Sequence, residues 1–278
     1  MVISHLPCTF CKNDYDSMPK QSRDSLKRIS LLMYSLNNFN KVYRMITVDD
    51  GKGVIFDLDG VLIDSGWAHK QSWYDLAEKE GYQMSDEFFY STFGMQNYQI
   101  LPMLAGKELS NEKMNEMSDW KEQRYRDIFS ESIELSAGAE ALFNELRKGG
   151  FALAIGSSTP KANLDFVMEK LDLEKHFDVV VSKEDVTNGK PAPDTFLTAA
   201  QKLALKPENC IVIEDSLPGI EAGKNAGMSV IALTTTRDRT ELIEADIVVD
   251  GLIELKVNDF TGLLKKNQVS TNRIKDFT

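Results

Sequence analysis

Positive charge is scarce in this chain: 32 lysines and arginines stand against 43 aspartates and glutamates, a formal net charge of -11 over 278 residues. A surface of that sign repels polyanions, which argues against a general nucleic-acid or anionic-membrane partner. Long apolar stretches are missing too. No uninterrupted run of about 18 apolar residues occurs, so no transmembrane helix is expected, and the N-terminus lacks the apolar segment of a signal peptide. Three cysteines are too few for a disulfide framework, and Cys210 lies inside an apolar run, which suits a reducing, cytoplasmic setting. The length still allows a full core plus a small inserted domain.

What the chain does have is concentrated at residues 54 to 65, VIFDLDGVLIDS. Val54, Ile55 and Phe56 form the β-branched and aromatic run of a buried strand, and Gly60 supplies the freedom to turn sharply at its end. In open α/β sheets ligands bind at that C-terminal end. Burying Asp57 and Asp59 so close together costs several kcal/mol unless a cation or a hydrogen-bond partner compensates, so the pair predicts a metal, a shared proton, or both. A plain Asp-Gly turn is the structural alternative. Three later segments weigh against it. Ala152 to Ser157 is a second apolar run ending in the hydroxyls Ser157, Ser158 and Thr159; Gly189 to Asp194 (GKPAPD) holds Lys190 in a turn between glycine and proline; Cys210 to Asp215 (CIVIED) is an apolar run ending in adjacent carboxylates.

With these four motifs in this order, the chain resembles the haloacid dehalogenase superfamily, in the branch of the β-phosphoglucomutase-like enzymes and the sugar-phosphate or phosphoglycolate phosphatases, over residues 53 to 252. The resemblance implies an α/β fold with a doubly wound, Rossmann-like parallel sheet, a helical cap inserted after the first strand, Mg2+, and an aspartyl-phosphate intermediate. The chemistry of the residues agrees. Phosphoryl transfer needs a nucleophile, a proton carrier and positive charge on the equatorial oxygens. Asp57 suits the nucleophile, since a carboxylate in water is ionised at neutral pH and covalent catalysis splits one hard step into two. Asp59 would protonate the leaving oxygen and then deprotonate water, a role worth roughly 10² to 10⁴ in rate. Asp215, with Glu214 directly or through water, would hold Mg2+ beside Asp57, since this hard ion prefers oxygen ligands, and the resemblance implies the backbone carbonyl of Asp59 as a further ligand. Ser157 would donate to a phosphate oxygen, and Lys190 would neutralise both the phosphate and Asp57. Taken singly, Ser157 or Thr159 could cap the helix that starts after Pro160, Lys190 could be a solvated loop lysine, and Glu214 and Asp215 could cap the following helix.

The remaining pattern alternates as a doubly wound fold requires. Strands are expected near 54–57, 151–156, 178–181, 210–214, 229–233 and 246–249, with helices between them, the last over 238–244. Residues 45–65 and 137–255 form the expected core and 66–136 the cap. His69 and Trp73 share a helix face and match the sugar-phosphate mutase pattern, in which the histidine couples cap closure to proton transfer. Phe93 and Gly94 fit the family's second cap loop. Where the mutases carry an arginine for the second phosphate this chain has Asn97, and an amide cannot replace a guanidinium fork. Gly94, Asn97, Ser158 and Lys161 complete the candidate substrate contacts. Residues 1–44 read as a peripheral extension, in which His5, Cys8 and Cys11 lack a second ligand pair for zinc. Residues 256–278 read as a short helix with a frayed tail. The resulting expectation is a cytoplasmic, Mg2+-dependent phosphatase of a small phosphorylated metabolite, monomer or dimer, with no nucleic-acid or membrane partner. A sugar-phosphate mutase is the first alternative and a non-catalytic binding protein the second.

Overall fold

The computed structural model describes residues 51–92 and 95–265. Six strands form one all-parallel sheet: β1 (Lys52–Phe56), β2 (Phe151–Gly156), β3 (Val179–Val181), β4 (Cys210–Glu214), β5 (Ser229–Leu233) and β6 (Ile247–Val249), in the order β3-β2-β1-β4-β5-β6. The near-continuous apolar runs of the four inner strands follow from this, because a parallel sheet covered by helices buries both faces. Alternate residues serve different faces. Val54, Phe56, Leu153, Ile155, Ile211 and Ile213 pack on one side, whereas Ile55, Ala154, Val212 and Val230 pack on the other. The first face is covered by α5 (Ala139–Lys148) and α6 (Lys161–Lys170), and the second by α7 (Asp194–Lys202) and α8 (Leu217–Asn225).

Four helices lie between β1 and α5: α1 (Gly66–Glu80), α2 (Asp86–Thr92), α3 (Asn97–Ala105) and α4 (Asn111–Phe129). They close around an apolar cluster of their own, which includes Trp73, Leu76, Phe89, Leu101 and Met117. The segments that leave and re-enter the core run side by side. Ile63 forms an antiparallel bridge with Leu135, and the Ser136 amide donates to Leu62 O at 2.8 Å.

One expectation needs correction. Residues 238–244 form successive turns instead of a helix. The Glu241 amide bonds Asp238 O at 2.9 Å, and Arg239 is drawn off to Val248 O and Asp250 at 2.6 Å each. A seven-residue segment with one deeply buried side chain, Leu242, does not repay helix nucleation. The short helix expected near the C-terminus is present up to residue 265. Residues 257–265 are helical, and Phe260 is fully buried, edge-on to Phe151 with ring centroids 6.0 Å apart. The capping alternative for Ser157 and Thr159 is not realised: α6 begins without a side-chain cap from either, and Glu184 accepts from the Lys161 amide at 2.8 Å. Residues 1–44, including His5, Cys8 and Cys11, and residues 266–278 lie outside the described residues. Among the described residues no helix is long and apolar enough to cross a membrane.

Candidate active site

The strand order reverses direction between β1 and β4, and in such sheets the crevice beyond the strand ends at that point receives the ligand. Asp57 follows directly on β1, Ser157 follows β2, and Glu214 and Asp215 end and follow β4. All four therefore meet at one edge of the sheet. Lys190 reaches it from the turn before α7, which the Ala192 amide closes onto Gly189 O at 3.0 Å.

Lys190 Nζ donates to Asp57 Oδ1 at 2.7 Å and to Glu214 Oε1 at 2.6 Å, with all three side chains buried. Glu214 Oε2 accepts from the amides of Asp215 and Ser216 at 2.8 and 2.9 Å and from Ser216 Oγ at 2.9 Å. Its second oxygen is thus spent on the turn, while Ser216 itself caps α8 through the Gly219 amide. Burial disfavours the charged form of Glu214, but Lys190 outweighs it and holds the carboxyl below its usual range.

Asp57, Glu214 and Asp215 each offer an oxygen within 4.8 Å of the others. One lysine stands against three buried carboxylates. The deficit appears in their proton affinities: burial, reinforced by Glu214, pushes Asp57 up to about 7, with Lys190 only partly offsetting it. Burial, together with Glu214 and Asp57, raises Asp215 well above its ordinary value. Asp57 is therefore not fully ionised unaided at neutral pH, contrary to the expectation from its motif alone. A buried oxygen set short of positive charge fits a hard divalent cation. Gly60 leaves room for the Asp215 carboxylate, having φ +78° and facing it so closely that a Cβ would collide with it.

Asp59 occupies a different environment. Ser65 Oγ donates to its Oδ1 and Thr159 Oγ1 to its Oδ2, both through short bonds, and His69 Nε2 stands 3.8 Å from Oδ1. Burial opposes ionisation, but these donors outweigh it and pull the carboxyl down to about 2. Ser157 is linked to this group only at second hand, since its hydroxyl donates to Thr159 Oγ1 at 2.9 Å and accepts from the Thr159 amide at 3.0 Å. The roles of Ser65 and Thr159 as donors to Asp59 escaped the sequence reading; Ser65, at the end of the VIFDLDGVLIDS segment, was the available signal, whereas Thr159 lies 100 residues from its partner.

The cap candidates are placed less uniformly. His69 projects from α1 toward Asp59, with its Nδ1 2.8 Å from Lys121 Nζ and its ring stacked on Tyr125 at 4.0 Å. Trp73 is buried in the apolar cluster of the cap, so it packs instead of facing the crevice. Asn97 turns inward as well. Its Nδ2 donates to Ser118 Oγ at 2.9 Å and Glu122 Oε1 at 2.8 Å. Ser158 is exposed, and Lys161, also exposed, pairs with Asp165 at 2.6 Å. Gly94 and Phe93 lie outside the described residues. Lys121 and Glu122, two charged residues buried in the cap, had no signature in the sequence.

Comparison with known proteins agrees with this geometry. The signature of the haloacid dehalogenase-like hydrolases matches residues 54–233. A phosphorylated carbohydrates phosphatase of Thermotoga maritima is 30% identical over 199 residues, covering 71% of this chain and 92% of its own length. Hexitol phosphatase A of Escherichia coli is 31% identical over 218 residues, covering 74% and 94%. Among solved structures, a beta-phosphoglucomutase of Clostridium difficile aligns with a TM-score of 0.70 at 27% identity, across 79% of this chain and 100% of its own.

Proposed function

The chain belongs to the haloacid dehalogenase-like hydrolase family, and from that premise we propose that it is a Mg2+-dependent phosphatase that hydrolyses a small phosphorylated metabolite through an aspartyl-phosphate on Asp57. The observation that carries this reading is the placement of one buried lysine between Asp57 and Glu214 with Asp215 alongside. Asp57, Glu214 and Asp215 would hold Mg2+, which supplies positive charge to the transferring phosphoryl group and favours the ionised form of Asp57.

The chain's own residues account for the rest. Asp57 attacks phosphorus as the ester P–O bond breaks, with Lys190 balancing charge on the equatorial oxygens. The leaving oxygen takes a proton through Asp59. Held down to about 2, Asp59 is an anion at neutral pH, so this proton enters with the monoanionic ester, whose second ionisation lies near about 6. Ser65, Thr159 and His69 stabilise the carboxylate that re-forms as the proton passes on. In the second half-reaction Asp59 accepts a proton from the attacking water and passes it to the phosphate, which leaves as the monoanion and restores both carboxylates.

The mutase alternative requires a cationic fork for a second phosphate. Asn97, the residue at that position, commits its amide to Ser118 and Glu122, which favours water as the second acceptor. The test is a turnover screen of sugar, polyol, glycolate and nucleotide monophosphates with Mg2+, followed by intact-mass detection of a phosphorylated enzyme. Asp57→Asn should lower turnover by at least about 10³ and abolish that adduct. Near-normal turnover in this variant would overturn the reading.

A further inference from the structure

Glu122 is a buried carboxylate with no part in the steps above, yet side chains from three helices meet on it. Its Oε1 accepts from Asn97 Nδ2 of α3 at 2.8 Å and from Lys121 Nζ of α4 at 3.0 Å, while its Oε2 accepts from Asn163 Nδ2 at 2.6 Å. Asn163 is fully buried and belongs to α6 of the core. Its other amide atom is also taken by the cap, because Arg126 Nη1 donates to Asn163 Oδ1 at 2.6 Å. Two cap side chains one helical turn apart thus grip a single core amide.

The same carboxylate fixes the next link. An ammonium group only donates. With one proton directed at Glu122, Lys121 directs another at His69 Nδ1, 2.8 Å away, so Nδ1 accepts and the ring proton resides on Nε2. Nε2 is the nitrogen facing Asp59 Oδ1 at 3.8 Å, and the parallel stack on Tyr125, inclined by 8°, keeps the ring in that plane. We propose that Glu122 and Asn163 form a latch between cap and core that sets the Nε2–H of His69 against Asp59, which makes both of them positioning residues for proton transfer at Asp59. The proposal rests on the reading of Asp59 as the proton carrier.

The test uses the purified full chain with Mg2+ and two esters. p-Nitrophenolate departs without a proton, whereas the alkoxide of the best alkyl phosphate from the screen above requires one, and kcat/KM reports the steps through leaving-group departure. The ratio of kcat/KM for the alkyl ester to that for the aryl ester should fall at least about tenfold in Glu122→Gln and in Asn163→Ala. Asn163→Asp, which sets a second carboxylate against Glu122, should fall at least as far. Loss of packing alone would depress both esters together and leave the ratio unchanged, and that result would overturn the proposal. If Glu122→Gln does not fold because Lys121 has lost its counterion, the two Asn163 variants decide. Asp59→Asn separates the two levels. If it shifts the ratio and the latch variants do not, the latch alone fails; if it leaves the ratio unchanged, the reading of Asp59 fails and the latch with it.

Discussion

Gly60 and Asp215 face each other so closely that a single methyl on the glycine would occupy the space of the carboxylate. The glycine also holds φ +78°, where a side chain is strained. Gly60→Ala should therefore displace Asp215 and cost about 1 to 3 kcal/mol of stability. The expected result is a lower urea midpoint together with a loss of turnover that high Mg2+ partly restores. A variant with wild-type turnover at limiting Mg2+ would show that Asp215 does not need its present position.

Three buried carboxylates around one lysine predict stabilisation by a divalent cation. At a Mg2+ concentration about a hundredfold above Kd, binding adds about 2.7 kcal/mol to the folded state, so Tm should rise. The rise should be lost in Asp215→Asn, and a chelator should abolish turnover until Mg2+ is returned. Ca2+ should support turnover poorly, since it takes more ligands at longer distances. Full turnover in chelator would assign Glu214 and Asp215 to holding the turn before α8 alone.

Asn97→Arg tests whether a fork at that position recovers affinity for a second phosphate. The structure predicts that it does not, because the guanidinium would meet Glu122, the acceptor that Asn97 now uses at 2.8 Å. Inhibition by a sugar bisphosphate should be unchanged in Asn97→Arg and should strengthen only when Glu122→Gln is added. Strong bisphosphate inhibition of the single variant would show that residue 97 faces the substrate.

Glu122 also gives a sign to the acid stability. Burial opposes its ionisation, but Lys121 and the two asparagine amides outweigh this and lower it from 4.5 to about 2. A group depressed in the folded state contributes stability that is complete above its unfolded value and is lost as pH falls toward the folded one. Between about pH 5 and about pH 3 the wild type should therefore lose roughly 2 kcal/mol more than Glu122→Gln, as read by urea unfolding. Parallel losses would mean that Glu122 is not ionised in its present contacts.

The sheet was legible because burial on both faces writes unbroken apolar runs into the chain, and each of the six expected strands overlaps an observed one. The residues at the strand ends were legible for a related reason: charge directly after such a run has few structural explanations. The cap was legible as helices but not as a network. Asn97 meets Glu122 across 25 residues, Asn163 meets Glu122 across 41, and Thr159 meets Asp59 across 100. No local periodicity encodes such pairings, and on a helical wheel Lys121 and Glu122 look like an ordinary solvated pair. Residues 238–244 misled for the opposite reason, since a helical charge pattern there lacks the apolar face that would anchor it.

The paired crossing at Ile63 and Leu135 makes the cap a cassette. Its two ends enter and leave at neighbouring points, so an insert of another length that keeps this spacing makes no demand on the strand registers. An exchanged segment would still have to present a donor to Asp59, as His69 does, and a partner to Asn163, as Glu122 does.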